Sequence, residues 1–328
     1  MTLIRDYLFS RKHCEDNNLR HLRLIEPPLW LVIFILIAGL SLISCDQKFS
    51  TPEYDIYYDE DFNDVPQGYK APAAADSRAC KVLFLGNSLT SYNSQTSIFR
   101  GLAQNANKRI FVNQYCQNGA QLDYHRYSLM SRQKISEQKW DFVILQEAVA
   151  EVSSPEGRAD ILPFIEGLKT FIFQRNSRAR VIYFMPYANR DGLDIGFMHL
   201  SYDQHQVNLI EGVQQYAQLA DVMIAPIGQA WRQVRRERPS IELYREDKAH
   251  PAYAGSYLGA CVYYATIFQD SVTPINYKGM LDSATAVYLR SVATRVVLDS
   301  LTTWRIRPLD AGQNWNITPD DTSSAPRE

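Results

Sequence analysis

The chain predicts an α/β fold, a three-layer α/β/α sandwich on a mainly parallel, five-stranded sheet. Three observations carry that prediction. Short apolar runs alternate with longer amphipathic stretches, the pattern left by buried strands that helices cover on both faces. Ser88, Gly119 and Gln146 each stand just past the end of one such run, where open sheets of this kind bind ligands. The stretch from about Arg78 to Arg307 is long enough for one sizeable domain with one core, and no internal repeat divides it.

The first strand is read at Val82 to Leu85, an apolar run that stops abruptly at Gly86-Asn87-Ser88-Leu89-Thr90. A helix predicted at about Thr96 to Asn107 leads to a second strand at Ile110 to Tyr115. The pattern then repeats: a helix at Tyr124 to Glu137, a strand at Phe142 to Leu145, a helix at Gly157 to Gln174 and a strand at Val181 to Phe184. A helix at Tyr202 to Leu219 precedes the last strand, Val222 to Ala225, and helices at Tyr253 to Phe268 and Ser283 to Trp304 close the domain. The charged run Arg232, Arg235, Arg236, Glu237, Arg238 reads as the solvated face and end of a helix, with an anion site as the alternative.

The ends read differently. Leu29 to Ser44 is mostly apolar and uncharged, but shorter than the roughly 20 residues of a membrane-spanning helix. It closes in Leu42-Ile43-Ser44-Cys45, which resembles a bacterial lipobox. Residues 1–45 are therefore expected to form a lipoprotein signal with a lipidated Cys45 and a long n-region that carries Asp6, Glu15, Asp16 and Glu26; a short uncleaved anchor is the alternative. Residues 46–77, rich in Asp, Glu, Pro, Ala and Tyr without periodicity, read as a flexible tether, with docking of the acidic and aromatic run from Tyr54 to Phe62 on the domain or a partner as the alternative, and residues 308–328 as a loose polar tail. The expected place is the bacterial cell envelope, periplasmic or surface-exposed, with the membrane reached through the lipid.

Lys plus Arg total 34 against 36 Asp plus Glu, so no basic excess draws the chain to nucleic acid. Of the five cysteines, Cys14 and Cys45 belong to the signal region, which leaves Cys80, Cys116 and Cys261. A Cys80–Cys116 bridge and buried free thiols both remain open. No Cys or His spacing matches a structural zinc site.

The chemistry concentrates in two places. Ser88 follows the first strand, and far downstream Asp247-Lys248-Ala249-His250-Pro251 sets a carboxylate and an imidazole three positions apart, close enough on one turn for the acid to orient the base. Nucleophile, base and orienter are thus all present. Alone, a Ser after a strand is a cap or turn residue and an Asp-x-x-His a surface turn. Their order, with a glycine and a carboxamide at the intervening strand ends, favours the joint reading. Asn87 is expected to fix the turn around Ser88, while Asn93 contacts substrate or caps the next helix.

The pairing of Gly86-Asn87-Ser88-Leu89-Thr90 with Asp247-x-x-His250-Pro251 resembles the SGNH (GDSL-type) hydrolases from about Lys81 to Gln269, and Leu145-Gln146-Glu147 is similar to a bacterial branch related to sialate-type acetylesterases. That resemblance implies a flavodoxin-like SGNH fold, catalytic Ser88, Asp247 and His250, and no metal or organic cofactor. It also implies an oxyanion hole from the N–H groups of Ser88 and Gly119 in Gln117-Asn118-Gly119-Ala120. Most of the family adds a side-chain Asn after the third strand; here the position holds Gln146, whose carboxamide is expected to be the third donor, or else to hold a loop. Glu147 is expected to be structural.

The implied activity is hydrolysis of short acyl esters, chiefly O-acetyl on carbohydrate, through an acyl-enzyme. The alternatives are an esterase or acyltransferase on lipid or small esters with the same triad, and a non-catalytic envelope binding protein on this fold. Tyr92, Tyr187, Phe197 and Tyr202 either stack on a sugar ring or pack in the core. Oligomeric state is not encoded in any feature of the chain.

Overall fold

The structure, a computed structural model, describes residues 78–317 apart from 154, 196 and 312. The expected signal, lipidated Cys45 and tether lie outside the described residues.

Five parallel strands form the main sheet: β1 (Cys80–Gly86), β2 (Ile110–Cys116), β3 (Phe142–Leu145), β4 (Arg180–Phe184) and, after a short hairpin, β7 (Met223–Ala225). Their order is β2-β1-β3-β4-β7. From β1 the chain steps outward to β2, then returns across β1 to β3, so the order reverses between β1 and β3. Beyond the carboxyl ends at that reversal lies the crevice where folds of this kind hold ligands. β3 is buried at every position and β1 at all but Lys81, which is why these strands read as unbroken apolar runs rather than as alternating ones.

Each long helix follows from its sequence. Gln95–Asn105 (α2) and Tyr202–Leu219 (α7) set one face on the sheet, and Ser201 opens α7 with a capping box to Gln204. Tyr253–Phe268 (α9) is buried from Ala254 to Phe268, all round, so it is a central helix packed against α2 and against Ser283–Leu298 (α10). In its core Tyr263 meets Phe84 and Phe99 at ring-centroid distances of 5.0 and 6.4 Å. Truncating a ring such as Phe99 would cost about 3–5 kcal/mol. The remaining helices are α1 (Ser88–Ser91), α3 (Leu122–Tyr127), α4 (Leu129–Glu137), α5 (Val149–Ser153), α6 (Pro155–Arg175) and α8 (Ile227–Glu237). No helix among the described residues is long and apolar enough to cross a membrane.

Three expectations are corrected and one open alternative is closed. The helix read from Tyr124 to Glu137 is two helices, broken at Ser128, whose extended backbone (ψ 126°) lets its hydroxyl accept from the Ser131 N–H and cap α4. The last helix ends at Leu298 rather than Trp304, because the chain turns back and the Trp304 indole N–H donates to the Val296 carbonyl. The tail is not loose where it is described: Trp315 is buried against Phe142 and Phe268, and the Arg109 N–H donates to its carbonyl at 2.7 Å. A Cys80–Cys116 bridge is excluded by register, since Cys80 pairs with Ile110 while Cys116 pairs with Gly86, six residues further along. At 3.3 Å per residue that is about 20 Å, three times the reach of a disulfide. Both thiols are free, and burial pushes the Cys116 thiol up to about 12.

Short elements carried no sequence expectation, among them the helices α1 and α5 and a hairpin. Leu193–Ile195 (β5) and Met198–Leu200 (β6) pair as an antiparallel hairpin, with Phe197 fully exposed at its tip.

Candidate active site

Ser88 is the first residue of α1, immediately past the end of β1. Its Oγ lies 2.9 Å from His250 Nε2, and His250 Nδ1 lies 2.8 Å from Asp247 Oδ2. An ionised carboxylate only accepts, so Nδ1 carries the hydrogen and the Nε2 lone pair faces the Ser88 hydroxyl. Residues at opposite ends of the domain therefore form one hydrogen-bonded chain, hydroxyl to imidazole to carboxylate.

The Asp247–His250 loop is built as a closed excursion. Tyr244 and Pro251 pair across its neck, the Arg245 N–H donates to the His250 carbonyl at 2.9 Å, and the Ala252 N–H donates to Leu243 at 2.9 Å. Lys248 takes a left-handed conformation (φ 63°) that curls the chain between acid and base. Burial works to raise the Asp247 carboxyl. The N–H groups of Ala249 (3.0 Å) and His250 (2.9 Å) on Oδ1, and the imidazole on Oδ2, outweigh it and hold the group below the ordinary carboxylate value. Tyr92 covers the imidazole, with ring centroids 4.5 Å apart.

On the Ser88 side the geometry comes from buried carboxamides. Gln146 is wholly buried at the end of β3, and its Oε1 accepts from the Asn87 N–H and the Thr90 hydroxyl, both at 2.9 Å. Its Nε2 donates to Asn87 Oδ1 (2.7 Å) and to the Glu147 carbonyl (3.0 Å). Both amide hydrogens are spent inside the protein, and the backbone donor on Oε1 fixes which way the amide points. The expectation that Gln146 donates to an oxyanion is thus corrected: it holds the Ser88 turn from behind. Gly86 is required beside it, because a Cβ there would stand 2.5 Å from Gln146 Oε1 and 2.9 Å from Thr90 Oγ1. Asn87 caps α1 by accepting from the Leu89 N–H and reaches across to donate to the Ala120 carbonyl at 2.9 Å, which meets its expected role of fixing the turn.

That last bond matters because Ala120 belongs to the turn that carries Gly119. The turn is tied down by Gln117 N–H on the Gly86 carbonyl (3.2 Å), Ala120 N–H on Gln117 (2.9 Å) and Leu122 N–H on Glu147 Oε2 (3.0 Å). Gly119 sits at φ 69°, and a Cβ would meet nothing within 4 Å, so the glycine answers a backbone requirement and not a steric one. Neither the Ser88 nor the Gly119 N–H has an acceptor among the described residues. Two backbone donors at neighbouring strand ends are left for an incoming group.

Three supporting residues were not anticipated in these roles, and a fourth, Glu147, takes the structural role expected of it. Asn93, at φ 54°, neither contacts an open site nor caps a helix; its Nδ2 donates to the Pro251 carbonyl (2.9 Å) and Ser256 Oγ (2.8 Å), which links the nucleophile turn to the base loop. Thr90 serves Gln146, as above. His125 is buried behind β1, with Nε2 donating to the Gly86 carbonyl and Nδ1 accepting from Ser131, and burial lowers its imidazole. Glu147 is 2% exposed, and burial raises its carboxyl to about 7 although the N–H groups of Ala148 and Leu122 both donate to it. Asparagine's tolerance of left-handed backbone was the one signal available for Asn93.

Of the four aromatic residues considered for sugar stacking, the structure withdraws two. Tyr187 is buried and stacks on Trp231 at 3.7 Å and 7°, and Tyr202 lies under the Arg235 guanidinium at 3.9 Å. Tyr92, against His250, and Phe197, on the hairpin, remain accessible. The hairpin segment is joined to the base loop through Arg190 N–H on the Lys248 carbonyl (2.8 Å) and the Lys248–Asp191 ion pair (2.6 Å).

Neither a protein-family model nor a curated protein sequence matches the chain. Among solved structures, it is similar to a DUF4886 family protein from Bacteroides uniformis at 16% identity, with a TM-score of 0.56 over 67% of this chain and 95% of that one. A candidate SGNH hydrolase from Slackia heliotrinireducens aligns at 24% identity and TM-score 0.47, over 57% of this chain and 97% of that one. An acetylxylan esterase from Geobacillus stearothermophilus aligns at 16% identity and TM-score 0.40, over 56% and 91%. The first of these shows that the three-layer fold is one already seen in solved proteins.

Proposed function

We propose that the protein is an SGNH-type serine esterase that hydrolyses short acyl esters, chiefly O-acetyl groups on carbohydrate, at the bacterial envelope, to which a lipid on Cys45 anchors it. The observation that carries this reading is the unbroken chain from Ser88 Oγ to His250 to Asp247, beside two unused N–H groups. His250 takes the hydroxyl proton as Ser88 Oγ attacks the ester carbonyl carbon. The carbonyl oxygen becomes an oxyanion and is met by the Ser88 and Gly119 N–H groups, the kind of donor worth about 2.7–4 kcal/mol elsewhere. Collapse expels the alcohol, which receives the proton from His250 and leaves an acyl-Ser88 ester. Water, deprotonated by the same His250, attacks that ester and releases the acid. Asp247 keeps the imidazole in the required tautomer and offsets its positive charge throughout.

A short acyl preference is supported by the absence of any long apolar lid in the sequence of the domain and by a Tyr92 ring packed directly on the base. The test is turnover of p-nitrophenyl acetate, butyrate and octanoate and of acetylated polysaccharide, beside Ser88→Ala. Acetyl is expected to be preferred, with burst kinetics, and the Ser88→Ala protein is expected to be inert. Equal rates in the two proteins would refute the mechanism, and activity confined to octanoate would refute the substrate class.

A further inference from the structure

The loop that carries Asp247 and His250 carries two cations, Arg245 and Lys248, and one of them is neutralised. Lys248 pairs with Asp191 at 2.6 Å, and Arg190 pairs with Asp191 (3.4 Å) and Glu242 (3.7 Å). Arg245 is the exception. It is exposed and makes no ion pair among the described residues, and the nearby Asp247 carboxylate is turned inward onto Ala249, His250 and the imidazole.

Its guanidinium is nevertheless placed. The central carbon sits 5.0 Å from the centroid of the Tyr92 ring, the same ring that lies 4.5 Å from the His250 imidazole. The main chain of Arg245 is held on both sides, with its N–H donating to the His250 carbonyl (2.9 Å) and its carbonyl accepting from Lys248 (3.0 Å). A guanidinium laid on an aromatic face keeps its planar N–H edge free, and that edge matches a carboxylate in two parallel hydrogen bonds. Resting on the ring also restrains a side chain that would otherwise lose more rotamer freedom on binding.

We propose that Arg245, seated on Tyr92, is a recognition site for a carboxylate carried by the substrate, so that the esters cleaved best are those whose alcohol portion bears an acid group. This rests on the esterase reading of Ser88, His250 and Asp247. The alcohol portion is specified because an acetyl group has no room for a second charge. Tyr92 then has two tasks, covering the base and positioning the cation.

The test compares 3-acetoxybenzoate with methyl 3-acetoxybenzoate, esters that differ in one negative charge, using the full-length protein, Arg245→Gln and Arg245→Lys. The native protein is expected to favour the anionic ester about fivefold to tenfold in kcat/KM, through KM, at low salt. In Arg245→Gln the ratio is expected to fall to about one; in Arg245→Lys most of it stays, and in every protein that shows a preference salt reduces it. Because the ratio is taken within one preparation, it does not depend on how much of a variant is folded. An equal fall on both esters in Arg245→Gln, or no native preference while both esters turn over, overturns the carboxylate site and leaves the esterase reading intact. Failure of the native protein to turn over either ester any faster than Ser88→Ala removes the reading beneath it.

Discussion

The two halves of the site are secured by opposite means. At the nucleophile corner Asn87, Thr90 and Gln146 are buried at 4%, 1% and 0% exposure, and their hydrogen bonds close on one another. At the base corner Arg245 to Lys248 are exposed, and the loop is held by its own backbone bonds and by Asp247. A buried polar lattice is costly to break, because every orphaned group has lost water as well as its partner. An exposed turn loses only what its few bonds contribute. Rate and stability should therefore separate, with changes at the base corner acting on turnover and changes behind the nucleophile acting on the fold.

The largest expected effect tests the base corner. Asp247→Asn should lower kcat by about 10³–10⁴-fold, equivalent to about 4–5.5 kcal/mol, by leaving the imidazole in the wrong tautomer. Its urea midpoint should move by no more than about 1 kcal/mol equivalent; a loss of several kcal/mol would erase the contrast. Next, Gln146→Ala strands the Asn87 N–H and the Thr90 hydroxyl and takes from Asn87 Oδ1 one of its two donors, and equilibrium unfolding should show a loss of about 3–5 kcal/mol. A loss below about 1 kcal/mol would mean that the lattice does not hold the turn.

Glu147 sharpens the comparison through pH. Its carboxyl titrates near 7 in the folded protein and near its ordinary 4.5 when unfolded. Between those values the native state keeps a proton that the unfolded chain has released, so this group makes stability fall as pH rises from about 4.5 through 7. Glu147→Gln should shrink the drop in unfolding free energy between pH 5 and pH 8 by about 1–2 kcal/mol, and an unchanged drop would reject the assignment. The smallest effect belongs to Asn93→Ala, which removes the tie between the corners: about 1 kcal/mol of stability, with a kcat loss that exceeds it if the tie aligns Ser88 with His250.

The sheet was legible because parallel strands are apolar on both faces, and Phe142 to Leu145 announces itself whatever its neighbours do. The residues that meet in the Ser88–His250–Asp247 chain were legible because a hydroxyl, an imidazole and a carboxylate stand in an order that resembles one family, although the chemistry itself allows others. Gln146 was misassigned for an equally physical reason. A carboxamide donates and accepts alike, and only coordinates reveal that Asn87 and Glu147 have already taken both hydrogens. The hairpin Leu193 to Leu200 has strands of three residues each, too short to show a period, and the packing of Trp315 depends on contacts far away in the chain, which local pattern does not encode.

The closed neck of the base loop has an evolutionary corollary. Because Tyr244 meets Pro251 and Ala252 returns to Leu243, the residues between behave as a cassette plugged into the scaffold at two adjacent points. Asp247 and His250 within it are held by their own bonds, while the exposed Arg245, Glu246 and Lys248 can change charge, so new selectivities can arise there without renegotiating the interior behind Ser88.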